Sequence, residues 1–155
     1  ENNIEYICKD QYERTYIFDV ISTMRYTLRL DTYTIESETF KQEYEQANEQ
    51  TKVLMNIDKW IDMLNNRDYK TAYSVLDETF RNNNFGSEEK FEEYMREKFP
   101  GHYKLNYGNY EKQGQNNVQE VVLTQIVEDE VGSVSTSVVM KLLEGTNFLM
   151  SFNII

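Results

Sequence analysis

A chain of 155 residues that is 39% hydrophobic and 14% aromatic can build one hydrophobic core, which excludes disorder as its overall state. Its 27 acidic residues against 16 basic ones give a net charge of -11, which repels a phosphate backbone and excludes nucleic acid as an expected partner. A cationic peptide or a basic protein surface would suit that charge, but solubility is the simpler account of it.

The first 36 residues read as a β-rich extended arm. Tyr16-Ile17-Phe18 and the run from Tyr26 to Ile35 are rich in β-branched and aromatic residues, and in the second run Tyr26, Leu28 and Leu30 alternate with Arg25, Arg29 and Asp31. Two or three strands are expected, needing a sheet to pair with. From Ser37 the apolar period changes to three and four: Phe40, Tyr44, Ala47, Thr51, Leu54, Asp58, Ile61 and Leu64 predict one long helix that stops at Asn65-Asn66. Asp68 can cap a second helix carrying Tyr69, Ala72, Tyr73, Leu76 and Phe80 on one face. Asn82-Asn83-Asn84 reads as a turn, and Ser87 with Glu88 and Glu89 opens a third helix whose inner face is Phe91, Tyr94 and Met95.

Pro100-Gly101 ends the helical half. Four antiparallel strands are expected beyond it. Tyr103, Leu105 and Tyr107 alternate in the first. Val118 to Val127, apolar on both faces, reads as a central strand. After a hairpin loop at Glu128-Asp129-Glu130-Val131-Gly132, Val134, Thr136, Val138, Met140 and Leu142 share a face of the third strand, and past Glu144-Gly145-Thr146-Asn147 come Phe148, Met150, Phe152 and Ile154.

Helices followed by four antiparallel strands over residues 37–155, with the junction Trp60-Ile61-Asp62-Met63-Leu64-Asn65-Asn66-Arg67-Asp68-Tyr69-Lys70-Thr71-Ala72-Tyr73 leading on to Leu76 and Phe80, resemble the cone-shaped nuclear-transport-factor-like superfamily. The resemblance implies an α+β fold in which three helices pack on a curved four-stranded antiparallel sheet, here preceded by the arm. It also implies a conical interior with Trp60, Tyr73, Phe85, Tyr94, Tyr107 and Phe148 around it. Packing as core is the expected role of these side chains, and lining a pocket for an apolar ligand is the alternative. On function the resemblance is nearly silent, because such scaffolds host isomerases, dehydratases, transport adaptors and secreted accessory domains.

Reactive groups are sparse. His102 is the only histidine and follows Pro100-Gly101 at a strand start, where a surface imidazole is commoner than a general base. Asp58 and Asp62 lie one helical turn apart, and Asp58 falls in the apolar stripe; there it is either a buried carboxylate with a raised pKa or, as expected, a rim carboxylate paired with Lys59, Arg67 or a backbone amide. Glu128, Asp129 and Glu130 lack the ligand alternation of a calcium loop, and one histidine with one distant cysteine makes no zinc site. No phosphate loop, nucleophile elbow or dinucleotide fingerprint occurs, so no cofactor is expected. Cys8 excludes an intrachain disulfide and, beside Tyr6 and Ile7, reads as a packed hydrophobe.

No apolar run approaches the roughly 20 residues that cross a bilayer, and the opening Glu1-Asn2-Asn3 reads as a trimmed start. These features set the leading expectation: a non-enzymatic binding or scaffolding domain from outside the cytoplasm of a bacterium, secreted or held by an anchor beyond this chain. Two alternatives stand beside it. One is a small-molecule enzyme or carrier using the cone, with Asp58, Tyr73 or His102 as polar groups. The other is a dimerising adaptor or secretion-channel subunit that associates through the sheet face or the tyrosine-bearing arm.

Overall fold

The computed structural model describes residues 4–9, 15–21, 25–30, 38–127 and 130–154, with side chains for 38–125 and 130–154. The chain divides into two compact units, Glu1–Ala47 and Asn48–Ile155.

In the first unit, β1 (Ile4–Lys9), β2 (Thr15–Ile21) and β3 (Arg25–Leu30) form an antiparallel sheet in that order. The arm thus supplies its own pairing, with Cys8 opposite Tyr16 and Phe18 opposite Leu28. Residues 31–35 of the expected strand and the surroundings of the Cys8 side chain lie outside what is described. Helix α1 (Glu38–Gln46) completes the unit, with Phe40 stacked on the buried Tyr44 at a centroid distance of 5.9 Å.

The expected long helix is two helices. Asn48 adopts extended backbone angles (φ -72°, ψ 169°), and its side-chain oxygen accepts a hydrogen bond from the Thr51 amide at 2.9 Å, so it caps a new helix, α2 (Glu49–Asn65). The stripe that α2 buries is Val53, Ile57, Trp60, Ile61 and Leu64, rotated from the expected one, and Asp58 falls outside it. The second expected helix also divides. After α3 (Tyr69–Ser74), Val75 caps the helix and Leu76 bridges to the last strand, where the Met150 amide donates to the Val75 carbonyl at 3.0 Å and the Asp77 amide donates to the Met150 carbonyl at 2.8 Å. Asp77 then caps α4 (Glu78–Asn84). Asn82, Asn83 and Asn84 are helical instead of forming a turn; the chain reverses at Gly86, whose φ of +76° suits glycine. Helix α5 (Glu88–Lys98) follows, capped by Ser87 as expected.

The four expected strands are present: β4 (His102–Gln113), β5 (Asn116–Val127), β6 (Glu130–Leu142) and β7 (Phe148–Phe152), antiparallel and in sequential order, so β5 is an interior strand. Glu130, Val131 and Gly132, expected in the hairpin loop, are already paired in β6. Residues 128 and 129 are outside the described set. The inner face carries Tyr103, Val121, Leu123, Val138, Met140, Phe148, Met150 and Phe152, and α2 packs on β4 and β5. A bulge between Tyr107 and Tyr110 breaks the register of β4 with β5. This is the expected α+β arrangement of helices on a four-stranded antiparallel sheet.

Candidate functional site in a groove between helix and sheet

The interior enclosed by helices and sheet is filled. A residual apolar void of about 20 Å3 remains among Trp60, Leu64, Phe99, Val121, Val138 and Phe152, too small for any organic ligand. Most of the aromatic residues expected around a pocket make this packing. Trp60 lies 5.4 Å from Phe152 and donates its indole N–H to the Ala72 carbonyl at 3.1 Å. Phe85 meets Phe91 at 5.2 Å and Tyr94 at 5.3 Å, Tyr73 meets Phe91 at 5.6 Å, and Phe148 is buried. His102 is exposed and, by the alternation of β4, on the opposite face from Tyr103.

The open space lies elsewhere, between the last turns of α2 and the first half of β4. There Asp58, Ile61, Asp62 and Asn65 face Tyr103, Lys104 and Leu105 across a groove of about 510 Å3. Its two walls are tied together at both ends. At one end Asn65 behaves like a short piece of strand: its side-chain oxygen accepts from the Tyr103 amide at 2.9 Å and its NH2 reaches the Tyr103 carbonyl at 3.4 Å. At the other, the Tyr107 hydroxyl donates to Asp58 Oδ1 at 2.5 Å. Asn65→Ala should cost about 1–3 kcal/mol, because two backbone groups of Tyr103 lose their partners, and hydrogen-exchange protection of the Tyr103 amide should fall with it. Denaturation and exchange experiments would check this; protection unchanged at Tyr103 would contradict the tether.

Electrostatics separate the two carboxylates. Asp58 is exposed and accepts from Tyr107, so it is a rim carboxylate whose partner is a phenol instead of the expected Lys59, Arg67 or amide. Asp62 is half-buried, and desolvation, reinforced by the negative charge of Asp58 one turn away, raises its pKa from 3.8 to about 6. Burial and the neighbouring carboxylates push the Tyr107 phenol well above its ordinary value, so it stays a proton donor to Asp58. The arrangement can hold a ligand between apolar side chains, Ile61 and Leu105, and present it to a carboxyl that titrates near neutral pH.

No family model and no curated protein matches the chain. Among solved structures, the chain is similar to a candidate SnoaL-like polyketide cyclase from Shewanella putrefaciens CN-32. That match has 16% identity and a TM-score of 0.36, and covers 69% of this chain and 90% of the other. Helices packed on a four-stranded antiparallel sheet are the layout that the resemblance in the sequence implies. The expectation of a non-enzymatic domain runs against the description of that neighbour as a cyclase and is not carried further.

Of the candidates named from sequence, the structure brings Asp58, Asp62 and Tyr107 together and leaves His102 apart. The spacing of Asp58, Asp62 and Asn65 at i, i+4 and i+7 was a legible signal for a shared helical face. That Asn65 would bind strand backbone, and that Lys104 and Leu105 would form the opposite wall, left no such signal.

Proposed function

We propose that the groove between α2 and β4 binds a small, largely apolar organic molecule and moves a proton on it, as an isomerase- or cyclase-like enzyme does. The observation that carries this reading is the carboxylate pair: Asp58 is engaged by Tyr107, while Asp62 stands half-buried on the groove with its pKa raised to about 6. Two neighbouring carboxyls in unlike environments are the usual means of obtaining one acid–base group active near neutral pH.

In this reading Asp62, ionised above about pH 6, takes a proton from an acidic C–H of the ligand and returns it at the same or a neighbouring atom. No net charge or electrons are exchanged with a further reactant, so proton transfer alone closes the cycle. Ile61 and Leu105 hold the apolar body of the ligand, and Tyr107 acts as a positioning residue that fixes Asp58.

The test is proton exchange. A panel of cyclic ketones incubated with the protein in D2O should lose α-proton signal by NMR. The rate should rise with pH through about 6, disappear in Asp62→Asn, and drop by about tenfold in Tyr107→Phe, the change expected for one lost charge-assisted hydrogen bond. Exchange that persists in Asp62→Asn, or no exchange by the wild-type chain with any member of the panel, would overturn the reading.

A further inference from the structure

A second concavity, with chemistry opposite to the groove, lies where the α2–α3 turn meets the end of α5. Its volume is about 160 Å3, and it is lined by Leu64, Tyr69 and Phe99, by Arg67 and Arg96, and by Gly101. In a chain of net charge -11, two arginines converging on one pocket run against the overall field.

The two cations are differently committed. Arg96 lies over the Tyr69 ring at 5.1 Å and already pairs with Glu92, with Nη2 2.8 Å from Glu92 Oε1. No ion pair joins Arg67 to another described residue. Its neighbour Asp68 is turned away to cap α3, accepting from the Thr71 amide at 3.1 Å and the Thr71 hydroxyl at 2.8 Å. Arg67 is also the one non-glycine residue with positive φ among the described residues, at +58°. Glycine or asparagine would fill that turn position with less strain, so the turn gives no reason for arginine. The side chain does: it lines the pocket.

We infer that this pocket binds a small organic carboxylate. Arg67 supplies a guanidinium that no described carboxylate engages, for a two-pronged contact, Arg96 adds positive charge over the Tyr69 ring, and the edges of Leu64, Tyr69 and Phe99 meet the apolar body of the acid. The edges of Leu64, Tyr69 and Phe99 that reach the pocket give an organic acid contacts that inorganic phosphate lacks. The inference goes beyond the proton-transfer reading and does not depend on it, since none of these side chains belongs to the groove.

The experiment is a titration of the whole chain with sodium benzoate at fixed ionic strength, followed by NMR at the arginine Nε–H signals. Saturable binding in the millimolar range is expected. Arg67→Gly should weaken it by about tenfold, the loss of one charge-assisted contact, while the melting temperature stays level or rises because the turn is relieved. Glu92→Gln should tighten binding a fewfold by freeing Arg96. Arg67→Asn, also suited to the turn, serves as the second variant should the glycine protein be poorly folded. Unsaturable shifts, equal affinity in Arg67→Gly or Arg67→Asn, or an equal response to inorganic phosphate would each overturn the inference.

Discussion

Phe152→Ala should lower the unfolding free energy by about 3–5 kcal/mol, the range for truncating a large buried aromatic residue. Phe152 is where the helices and the last strand meet: its ring lies 5.4 Å from Trp60, 5.1 Å from Phe80 and 6.5 Å from Phe85. It also borders the existing void of about 20 Å3, so the vacated volume would join that space instead of being reclaimed by a small shift. Against a domain stability that is typically about 5–15 kcal/mol, such a loss leaves the fold marginal. Trp60 is the only tryptophan and is buried at 4% exposure beside the site of change, so its fluorescence during urea unfolding reads the effect directly. A loss below about 1 kcal/mol would mean that the interior collapses around the missing ring and is not close-packed.

Asp62→Asn should act in the opposite direction on stability while removing proton transfer. In the folded chain this carboxyl keeps its proton up to about pH 6, whereas unfolded it ionises near 3.8. Between those values the folded state binds more protons, so stability falls as pH rises from about 4 to about 6 and stays at the lower level above. The shift corresponds to at most about 3 kcal/mol, and partial solvent screening reduces it to about 1–2 kcal/mol. The asparagine variant lacks this loss. It should therefore be more stable than the parent by about 1–2 kcal/mol at pH 7, with the two converging below pH 4. Urea unfolding at both pH values checks the sign; a variant that is less stable at pH 7 would show that the carboxylate is stabilised by its surroundings. Gain of stability on removing a group is the mark of a residue kept for something other than folding.

The strand half of the fold was legible because alternation with period two survives in each segment: Tyr103, Leu105 and Tyr107, then the β6 series and Phe148, Met150 and Phe152 of β7, fall on the face the sequence assigns them, while Ile154, expected with them, lies beyond β7 and is exposed. The helical half was legible in kind and blurred in its joints. Asn48 sits within a continuous three-four pattern, so periodicity hides the break that its capping side chain makes. The pause at Val75–Asp77 exists because Met150, far away in sequence, offers backbone partners there; a local reading of Leu76 and Phe80 has no access to that contact. The break at Asn48 also shifted the expected stripe: Asp58 stands at the rim, as expected, but the more buried carboxyl of the two is Asp62, which the stripe left out. The arginine pocket left no sequence signal, since Arg67 and Arg96 lie on separate elements and meet only in the fold.

The two outer strands of the larger sheet are each plugged at a point. On β4, the carboxamide of Asn65 takes both backbone groups of Tyr103; on β7, Val75 and Asp77 take both backbone groups of Met150. A foreign strand docking there would have to evict an internal bond for each one it made, and so would gain little from zippering up alongside. Edge-to-edge polymerisation, the commonest hazard of an open sheet, is thereby discouraged at both margins by one side chain and one three-residue stretch.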